Sequence, residues 1–171
     1  MRFVLCLLIC GLASASGPSP FDVPAKARVL LFVRTDCPLT NRYAPELRRI
    51  SQEFATRGVT FWLVYPGKSE LEKDISTQVT EYGLPGTVVR DTDQSLVKLS
   101  HAIVSPEAAV FDAGGKLRYH GRIDDQWSDF GKGHPTAQSH DLEDAIADVL
   151  ANKVVAHPET HAVGCALADV E

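Results

Sequence analysis

Near its start the chain places two apolar segments on either side of an amphipathic helix, and this pattern constrains the fold more than any other feature. Residues 28–33 form an almost unbroken apolar run, and Val59–Tyr65 form a second one. Such runs are typical of strands covered on both faces of a parallel sheet. Between them, apolar side chains recur at helical spacing at Tyr43, Leu47, Ile50 and Phe54. The pattern predicts a strand, a crossover helix and a second, parallel strand.

The elements predicted after this unit complete an α/β fold. In chain order they are a helix with the stripe Leu71, Ile75, Val79 and Tyr82, a strand at 87–89, a short helix at 95–99, an antiparallel hairpin of 108–111 and 116–123, and a last helix marked by Leu142, Ile146, Val149 and Leu150. A capping box at 69–72 predicts the start of the first of these helices, and Gly83 its end. The polar segment 124–139 has no period and is predicted to be a loop.

The first fifteen residues have the form of a cleavable signal peptide. Arg2 precedes an apolar stretch, and residues 13–15 are Ala-Ser-Ala, the small-x-small pattern of a signal-peptidase site. We therefore expect segment 1–15 to be removed and the protein to be secreted or periplasmic. Lipid attachment at Cys10 is the alternative. No later segment is apolar for the roughly 18 residues that a membrane helix needs.

Composition argues against one class of partner. The chain has 17 Lys and Arg side chains against 22 Asp and Glu, a formal net charge of −5, with no basic cluster among aromatic residues. Because proteins grip the phosphate backbone with concentrated positive charge, no nucleic-acid partner is expected. Removal of the leader would leave two of the four cysteines, Cys37 and Cys165. Two cysteines in an exported protein favour redox chemistry or pairing.

Cys37 lies between the first strand and the first helix, directly before Pro38. The free amides and positive dipole end of a helix N-terminus favour a thiolate, so this position predicts a reactive cysteine with a lowered pKa. Nearby Arg34 and Arg42 are expected to lower the pKa further, and adjacent Asp36 to raise it. The alternative is that Cys37 is simply a small buried hydrophobic residue.

The order of elements and four motifs resemble a known superfamily. The motifs are DCPLTNRYAPEL at 36–47, WLVYPG at 62–67, SPEAAVFD at 105–112 and GRIDD at 121–125. The chain resembles the thioredoxin-like redoxins, and within them an exported, peroxiredoxin-like subgroup of the AhpC/TSA type. This resemblance implies a thioredoxin fold over residues 16–152, with a central mixed β-sheet flanked by helices. It also implies a proline inside the first helix, matched by Pro45, and a cis-proline beside the active-site sulfur, matched by Pro106.

The sequence departs from these relatives at three positions near Cys37. Thr40 stands where a thioredoxin has the second cysteine of its CxxC motif, so the usual local dithiol is absent. Peroxiredoxins carry Thr or Ser three residues before the reactive cysteine and Pro seven before it, and here these positions are Arg34 and Leu30. The missing Thr or Ser argues against peroxide reduction, so thiol–disulfide exchange is the predicted activity and thiol peroxidase, an antioxidant activity, is the alternative.

The predicted catalytic residues are Cys37, Cys165, Pro106 and Thr40. Cys165 lies in the segment 153–171, called the tail from here on, and it is either an isolated thiol or the resolving partner that forms a disulfide with Cys37. Pro106 is expected to hold the backbone of Ser105 beside Cys37, where an extended partner chain can pair. Thr40 either belongs only to the first helical turn or also donates a hydrogen bond to the thiolate.

The predicted function is thiol–disulfide exchange through Cys37 without an organic cofactor. Its expected partners are protein thiols or disulfides, a small thiol, or a peroxide. A different class remains open, a redox-inert adaptor or a copper-handling module that combines Cys37 with a histidine. No metal site is predicted, because the six histidines are not spaced as metal ligands usually are. Arg90 and Arg122 either orient a substrate or are solvated.

Overall fold

The computed structural model describes residues 19–129 and 131–167, and all structural statements below refer to these ranges. The helices are α1 Pro38–Ala55, α2 Glu72–Tyr82, α3 Ser95–Ser100 and α4 Asp141–Leu150. The strands are β1 Ala27–Phe32, β2 Val59–Tyr65, β3 Thr87–Arg90, β4 Val104–Ser105, β5 Glu107–Asp112, β6 Leu117–Gly121, β7 Trp127–Asp129, β8 Lys132–Gly133 and β9 Cys165–Ala166. The predicted signal peptide and the lipidation alternative at Cys10 lie outside the described residues.

The central sheet has five strands in the order β3-β2-β1-β5-β6. Strand β1 pairs in parallel with β2, and β2 in parallel with β3, whereas β5 and β6 run antiparallel on the other side. Every residue of β1 is buried, which explains its lack of alternation, since a central strand is covered on both faces. The predicted mixed sheet flanked by helices is confirmed.

The two faces of this sheet are covered very differently. One face, called the helical face, packs against α1, α2 and α4 and buries most of the large apolar side chains of the domain, among them Val29, Leu31, Leu47, Phe54, Ile75 and Ile146. The other, called the tail face, buries a smaller set that comprises Leu30, Phe32, Trp62, Val64, Val97, Ala102, Ala109, Phe111 and Leu167. Its cover is the short helix α3, the segment before β1 through Phe21 and, through Leu167, the tail.

Helix α2 differs from its prediction at the N-terminus. The helix begins at Glu72, and its N-cap is Leu71, which has no side-chain cap hydrogen bond, so the predicted capping box is wrong. The carboxylate of Glu70 instead accepts hydrogen bonds from the N–H groups of Thr35, at 2.8 Å, and Gly67, at 3.1 Å. Because Leu71 precedes the helix, it is 63% exposed rather than part of a buried stripe.

The predicted loop 124–139 contains a two-stranded ribbon of β7 and β8. Gly131, with φ of 74°, lies between the strands, and Phe130 is outside the described residues. A Cβ atom on Gly133 would lie 2.9 Å from the ring of Trp127. The ribbon forms where glycine allows the two strands to approach closely. Apolar periodicity does not reveal such a ribbon in the sequence.

The tail folds back along the domain although it has no helical or strand periodicity. Backbone hydrogen bonds first join it to β6, from His120 N to Pro158 O at 3.0 Å and from Thr160 N to His120 O at 3.2 Å. Strand β9 then pairs antiparallel with β4. In the described ranges, no helix is long and apolar enough to cross a membrane.

Candidate functional site

Cys37 is the N-cap residue of α1, at the carboxyl end of β1. Pro38 occupies the first helical position, where its fixed φ suits the helix and its missing N–H leaves no donor unsatisfied. The backbone N–H of Cys37 donates to Arg34 O at 3.3 Å, which closes the turn between strand and helix. The side chain is 0% exposed. The local sequence therefore places the sulfur at a helix N-terminus, but beneath a cover.

The Ser105–Pro106 loop lies directly against this sulfur. The peptide bond between the two residues is cis, as the resemblance implied. The thiol of Cys37 donates to Ser105 O at 2.9 Å, and the hydroxyls of Thr40 and Ser105 are 3.0 Å apart. The structure thus brings Cys37, Thr40 and Pro106 together, three of the four residues predicted for the site.

The tail brings the fourth residue to the same place. Cys165 pairs in register with Ser105 in the β4–β9 ladder, and its side chain is close enough to Cys37 to donate a hydrogen bond to the thiolate. Both cysteines are free thiols in this structure. This placement argues against an isolated tail thiol, and the resolving role of Cys165 stays a prediction.

The surroundings of Cys37 act on its pKa in opposite directions. Burial raises the pKa, but the thiol of Cys165, the N–H of Thr40, the N–H of Cys165 and the hydroxyl of Thr40 all favour the thiolate, and the net pKa is lowered. The sulfur accepts no cap hydrogen bond of standard geometry, so the Thr40 N–H acts mainly as a facing positive dipole. The predicted lowered pKa is supported in direction.

Cys165 shows the opposite shift. Burial, the hydrogen bond with Cys37 and the charge of Cys37 raise its pKa to about 12, although Arg34 opposes them. A pair of neighbouring thiols shares one proton more readily than it loses two, because the second thiolate would face the first. Of the two thiols, Cys37 is therefore the one that ionises first, while Cys165 keeps its proton.

The two arginines expected to acidify Cys37 have other roles. The guanidinium of Arg34 donates two hydrogen bonds to Asp36, at 2.9 and 2.8 Å, through Nε and Nη2. Its third nitrogen, Nη1, donates to Ala166 O at 2.6 Å. Its charge is compensated by Asp36, and the side chain holds the tail. Arg42 stacks over the Trp127 ring at 5.0 Å. Neither is among the largest causes of the Cys37 shift, so their expected acidifying effect stays a prediction.

Gln78 supports the turn before Cys37 and was missed by the sequence analysis. Its amide donates to Arg34 O at 3.0 Å and to Asn41 Oδ1 at 2.7 Å, and it accepts from Tyr65 OH at 2.9 Å. The side chain is 4% exposed, so the network is fixed by packing. A signal was present, since Gln78 follows the buried Ile75 by three residues and so shares its helix face.

Glu107 supports the loop on the other side of the sulfur. One carboxylate oxygen accepts from the N–H groups of Ile103, at 2.8 Å, and Val104, at 3.1 Å, and the other lies 3.5 Å from Nδ1 of His120. Glu107 is 3% exposed. The carboxylate thus accepts from the two backbone N–H groups just before Ser105 and Pro106. In the sequence, the adjacent proline was the only signal that Glu107 lies at the site.

Arg90 and Arg122 both have structural partners. Arg122 forms a bidentate pair with Asp141, at 2.8 and 3.2 Å. Arg90 donates to Gly67 O at 2.9 Å. These contacts tie loops to helices and the sheet, so neither side chain is simply solvated, and substrate orientation stays a prediction.

In the described parts of the chain, one group of possible metal ligands converges, and it contains no cysteine. Atoms of Glu46, His140 and Glu143 lie within 4.8 Å of one another. Arg49 already pairs with both glutamates, so a cation is in place there. A three-ligand copper group that combines Cys37 with a histidine does not occur among these residues.

The fold and the site define a thioredoxin-fold protein whose cysteine lies at a helix N-terminus beside a cis-proline. Similar solved structures are a hypothetical protein from Sinorhizobium meliloti, 24% identical with a TM-score of 0.73 over 84% of this chain and 79% of that one, and an uncharacterized conserved protein from Geobacillus kaustophilus, 23% identical with a TM-score of 0.72 over 85% and 78%. A thioredoxin-family thiol:disulfide interchange protein from Chlorobium tepidum is 18% identical, with a TM-score of 0.55 over 74% and 81%.

The sequence identifies the family. Residues 19–120 match the family model described as the AhpC/TSA family, and the chain belongs to that family. The matched region includes Cys37, Thr40 and Pro106 but ends before Cys165. No curated protein matches the chain. The thioredoxin-like redoxin resemblance is confirmed, and the tail lies outside the region that carries it.

Proposed function

We propose that this protein is an exported thiol–disulfide oxidoreductase in which Cys37 is the nucleophile and Cys165 the resolving thiol. The observation that carries the proposal is the contact between the two cysteines, with the Cys37 sulfur at the N-terminus of α1 and 2.9 Å from Ser105 O. A thiolate is the attacking species in disulfide exchange. The lowered pKa of Cys37 supplies this species.

The reaction proceeds in two exchange steps. The Cys37 thiolate attacks one sulfur of a partner disulfide, which forms a mixed disulfide and releases the other partner sulfur as a thiolate. Cys165 then loses its proton and attacks the Cys37 sulfur, which forms the Cys37–Cys165 disulfide and releases the second partner thiolate. The partner disulfide is reduced and the protein is oxidised by the same two electrons. Run backwards, the steps oxidise a partner dithiol.

The pKa of Cys165 suits the order of these steps. In the reduced pair, contact with the Cys37 thiolate contributes to the raised pKa of Cys165, so Cys37 reacts first. Once Cys37 is in a mixed disulfide its negative charge is gone, so one of the causes that raise the pKa of Cys165 is removed. Thr40 is assigned to stabilise the first thiolate, and the Ser105–Pro106 loop to position the sulfurs.

Export is supported by the first fifteen residues, whose pattern of Arg2, an apolar stretch and Ala-Ser-Ala matches a signal peptide. We infer that the mature domain spans 16–152 and is followed by the tail. An oxidising compartment allows a pair of cysteines to cycle through a disulfide. Protein thiols or disulfides are the proposed partners.

The test uses the full chain with Cys6→Ser and Cys10→Ser, so that Cys37 and Cys165 are the only thiols. Mass spectrometry before and after mild reduction counts disulfides, and reduction of a small disulfide gives the exchange activity. We expect one reversible disulfide in this parent. Additional Cys37→Ser should abolish both signals, while additional Cys165→Ser should leave a single-turnover mixed disulfide on Cys37. Undiminished exchange by the Cys37→Ser chain would falsify the proposal.

Family membership favours one second candidate, thiol peroxidase. The residue three positions before Cys37 is Arg34, whose guanidinium is already bonded to Asp36 and Ala166, and the residue seven before is the buried Leu30. Hydrogen peroxide added to the same parent chain decides the matter. Peroxide consumption that depends on Cys37 and exceeds disulfide exchange would replace the first proposal with this one.

A further inference from the structure

The tail occupies the backbone edge next to the reactive sulfur. In the β4–β9 pairing, Val104 faces Ala166 and Ser105 faces Cys165. The approach is so close that a Cβ atom on Gly164 would lie 2.1 Å from Ser105 O. Gly164 is not held by a left-handed φ, so its lack of a side chain serves this contact rather than the backbone conformation.

Two further contacts hold the tail beyond Cys165. Arg34 donates to Ala166 O at 2.6 Å, and Leu167 N donates to Ile103 O at 2.9 Å. The side chain of Leu167 is 4% exposed and belongs to the core of the tail face. With these contacts formed, Cys37 is 0% exposed. A macromolecular partner therefore reaches Cys37 only when the tail has left.

We propose that residues Gly164–Leu167 are an internal copy of the bound partner, and that the partner is an extended segment with glycine before its cysteine and an aliphatic residue two positions after it. This inference rests on the proposed function and adds its substrate class and its regulation. The tail and the partner compete for the same edge of β4, so the docked tail inhibits the first exchange step with proteins, and the tail displaces the partner backbone from β4 when Cys165 resolves the mixed disulfide.

Each feature of this partner follows from a contact of the tail. A residue with a side chain before the cysteine collides with Ser105 O, as Gly164 shows. A cysteine opposite Ser105 brings its sulfur to Cys37, as Cys165 shows. Ala166 of the tail is exposed, so the partner residue directly after the cysteine is left unspecified. Leu167 of the tail is buried in an apolar site, so the partner residue two positions after the cysteine is aliphatic.

The test isolates Cys37 and opens the tail by sterics alone. The parent is the full chain with Cys6→Ser, Cys10→Ser and Cys165→Ser, which has Cys37 as its only thiol. Gly164→Val dislodges the tail through the clash with Ser105. Gly114→Val is the matched control, because a Cβ atom there meets only Asp112 Oδ1, at 3.4 Å. Arg34→Met opens the tail from a second point, in case Gly164→Val fails to fold.

The probes are two peptides, Val-Gly-Cys-Ala-Leu and Val-Val-Cys-Ala-Leu, each linked through its cysteine to thionitrobenzoate. The Cys37 thiolate attacks the peptide sulfur, which forms a Cys37–peptide disulfide and breaks the aromatic disulfide. The better leaving group, thionitrobenzoate, departs as a coloured thiolate. Dithiobis(nitrobenzoate), a small aromatic disulfide, is the probe for Cys37 reactivity itself.

We expect Gly164→Val to react with the glycine peptide at least about tenfold faster than the parent or Gly114→Val, because the open fraction rises. In the Gly164→Val chain, the glycine peptide should react at least about tenfold faster than the valine peptide. Equal rates for both peptides, or an unchanged rate in both opened chains, overturn the inference. Failure of Cys37 to react even with dithiobis(nitrobenzoate) in a folded, opened chain overturns the proposed function instead.

Discussion

The helical face and the tail face of the sheet both bury apolar side chains, but the elements that cover them differ. On the helical face, α1 alone contributes five buried core residues from a continuous helix of 18 residues. On the tail face, the short helix α3, Phe21 and one large side chain of the tail, Leu167, cover a smaller core. A cover made of a long helix leaves only when much of the domain unfolds, whereas a short strand can detach locally.

This difference matters because the reactive site lies at the junction of the two covers. Helix α1 positions the Cys37 sulfur, and the tail hides it. The comparison indicates that the helical face provides most of the stability of the domain, and that the tail face provides a removable cover. The same substitution, Leu to Ala, on either face separates the two roles.

The largest effect is expected on the helical face. Leu47 is 0% exposed and lies in the middle of α1. Leu47→Ala should lower the free energy of unfolding by about 3 kcal/mol, through lost burial and the cavity left behind. Denaturant unfolding measures this change. A loss below about 1 kcal/mol would show that the helical face does not dominate stability.

A smaller loss of stability is expected from Leu167→Ala. Because the tail can detach before the domain unfolds, the free energy of unfolding should fall by about 1 kcal/mol. The alkylation rate of Cys37 under native conditions should rise, since the side chain that anchors the cover is gone. Mass spectrometry of iodoacetamide-treated protein gives this rate. An alkylation rate equal to that of the parent would contradict the idea of a removable tail.

The smallest effect concerns the helix end itself. Thr40→Val removes a hydroxyl that favours the Cys37 thiolate and leaves the Thr40 N–H in place. Since loss of a thiolate donor favours the thiol, the pKa of Cys37 should rise, and the pH–rate curve for alkylation should move to higher pH. Thr77→Val, on the exposed side of α2, is the matched control and should leave the curve in place. A curve that stays fixed in Thr40→Val would remove Thr40 from the site.

Much of the helical face was predictable because its signals are local. The apolar run of β1, the spacing of Leu47 and Phe54 in α1, and the glycine after α2 each report on their own element. The position of Cys37 between strand and helix could be predicted for the same reason. The start of α2 was missed because Glu70 bonds to Thr35, far away in the chain, instead of capping its own helix.

The support of the site was less predictable. Gln78 and Glu107 are polar residues whose burial depends on which backbone groups the fold brings to them. Arg34, expected to lower the pKa of Cys37, also bonds to Asp36 and to Ala166 of the tail. Sequence proximity indicated that these charges were near Cys37, but not which partners they would choose.

The sequence by itself determined the strand–helix–strand unit, the mixed sheet and the place of Cys37 at a helix N-terminus, because periodicity and capping act within one element. Only the tertiary structure decided that the tail returns to β4 and that Cys165 meets Cys37. Strand β9 is two residues long, too short for any period, and its pairing with β4 depends on contacts of Gly164 and Leu167 with Ser105 and Ile103, which are distant in the chain. Such contacts exist only once the sheet has formed.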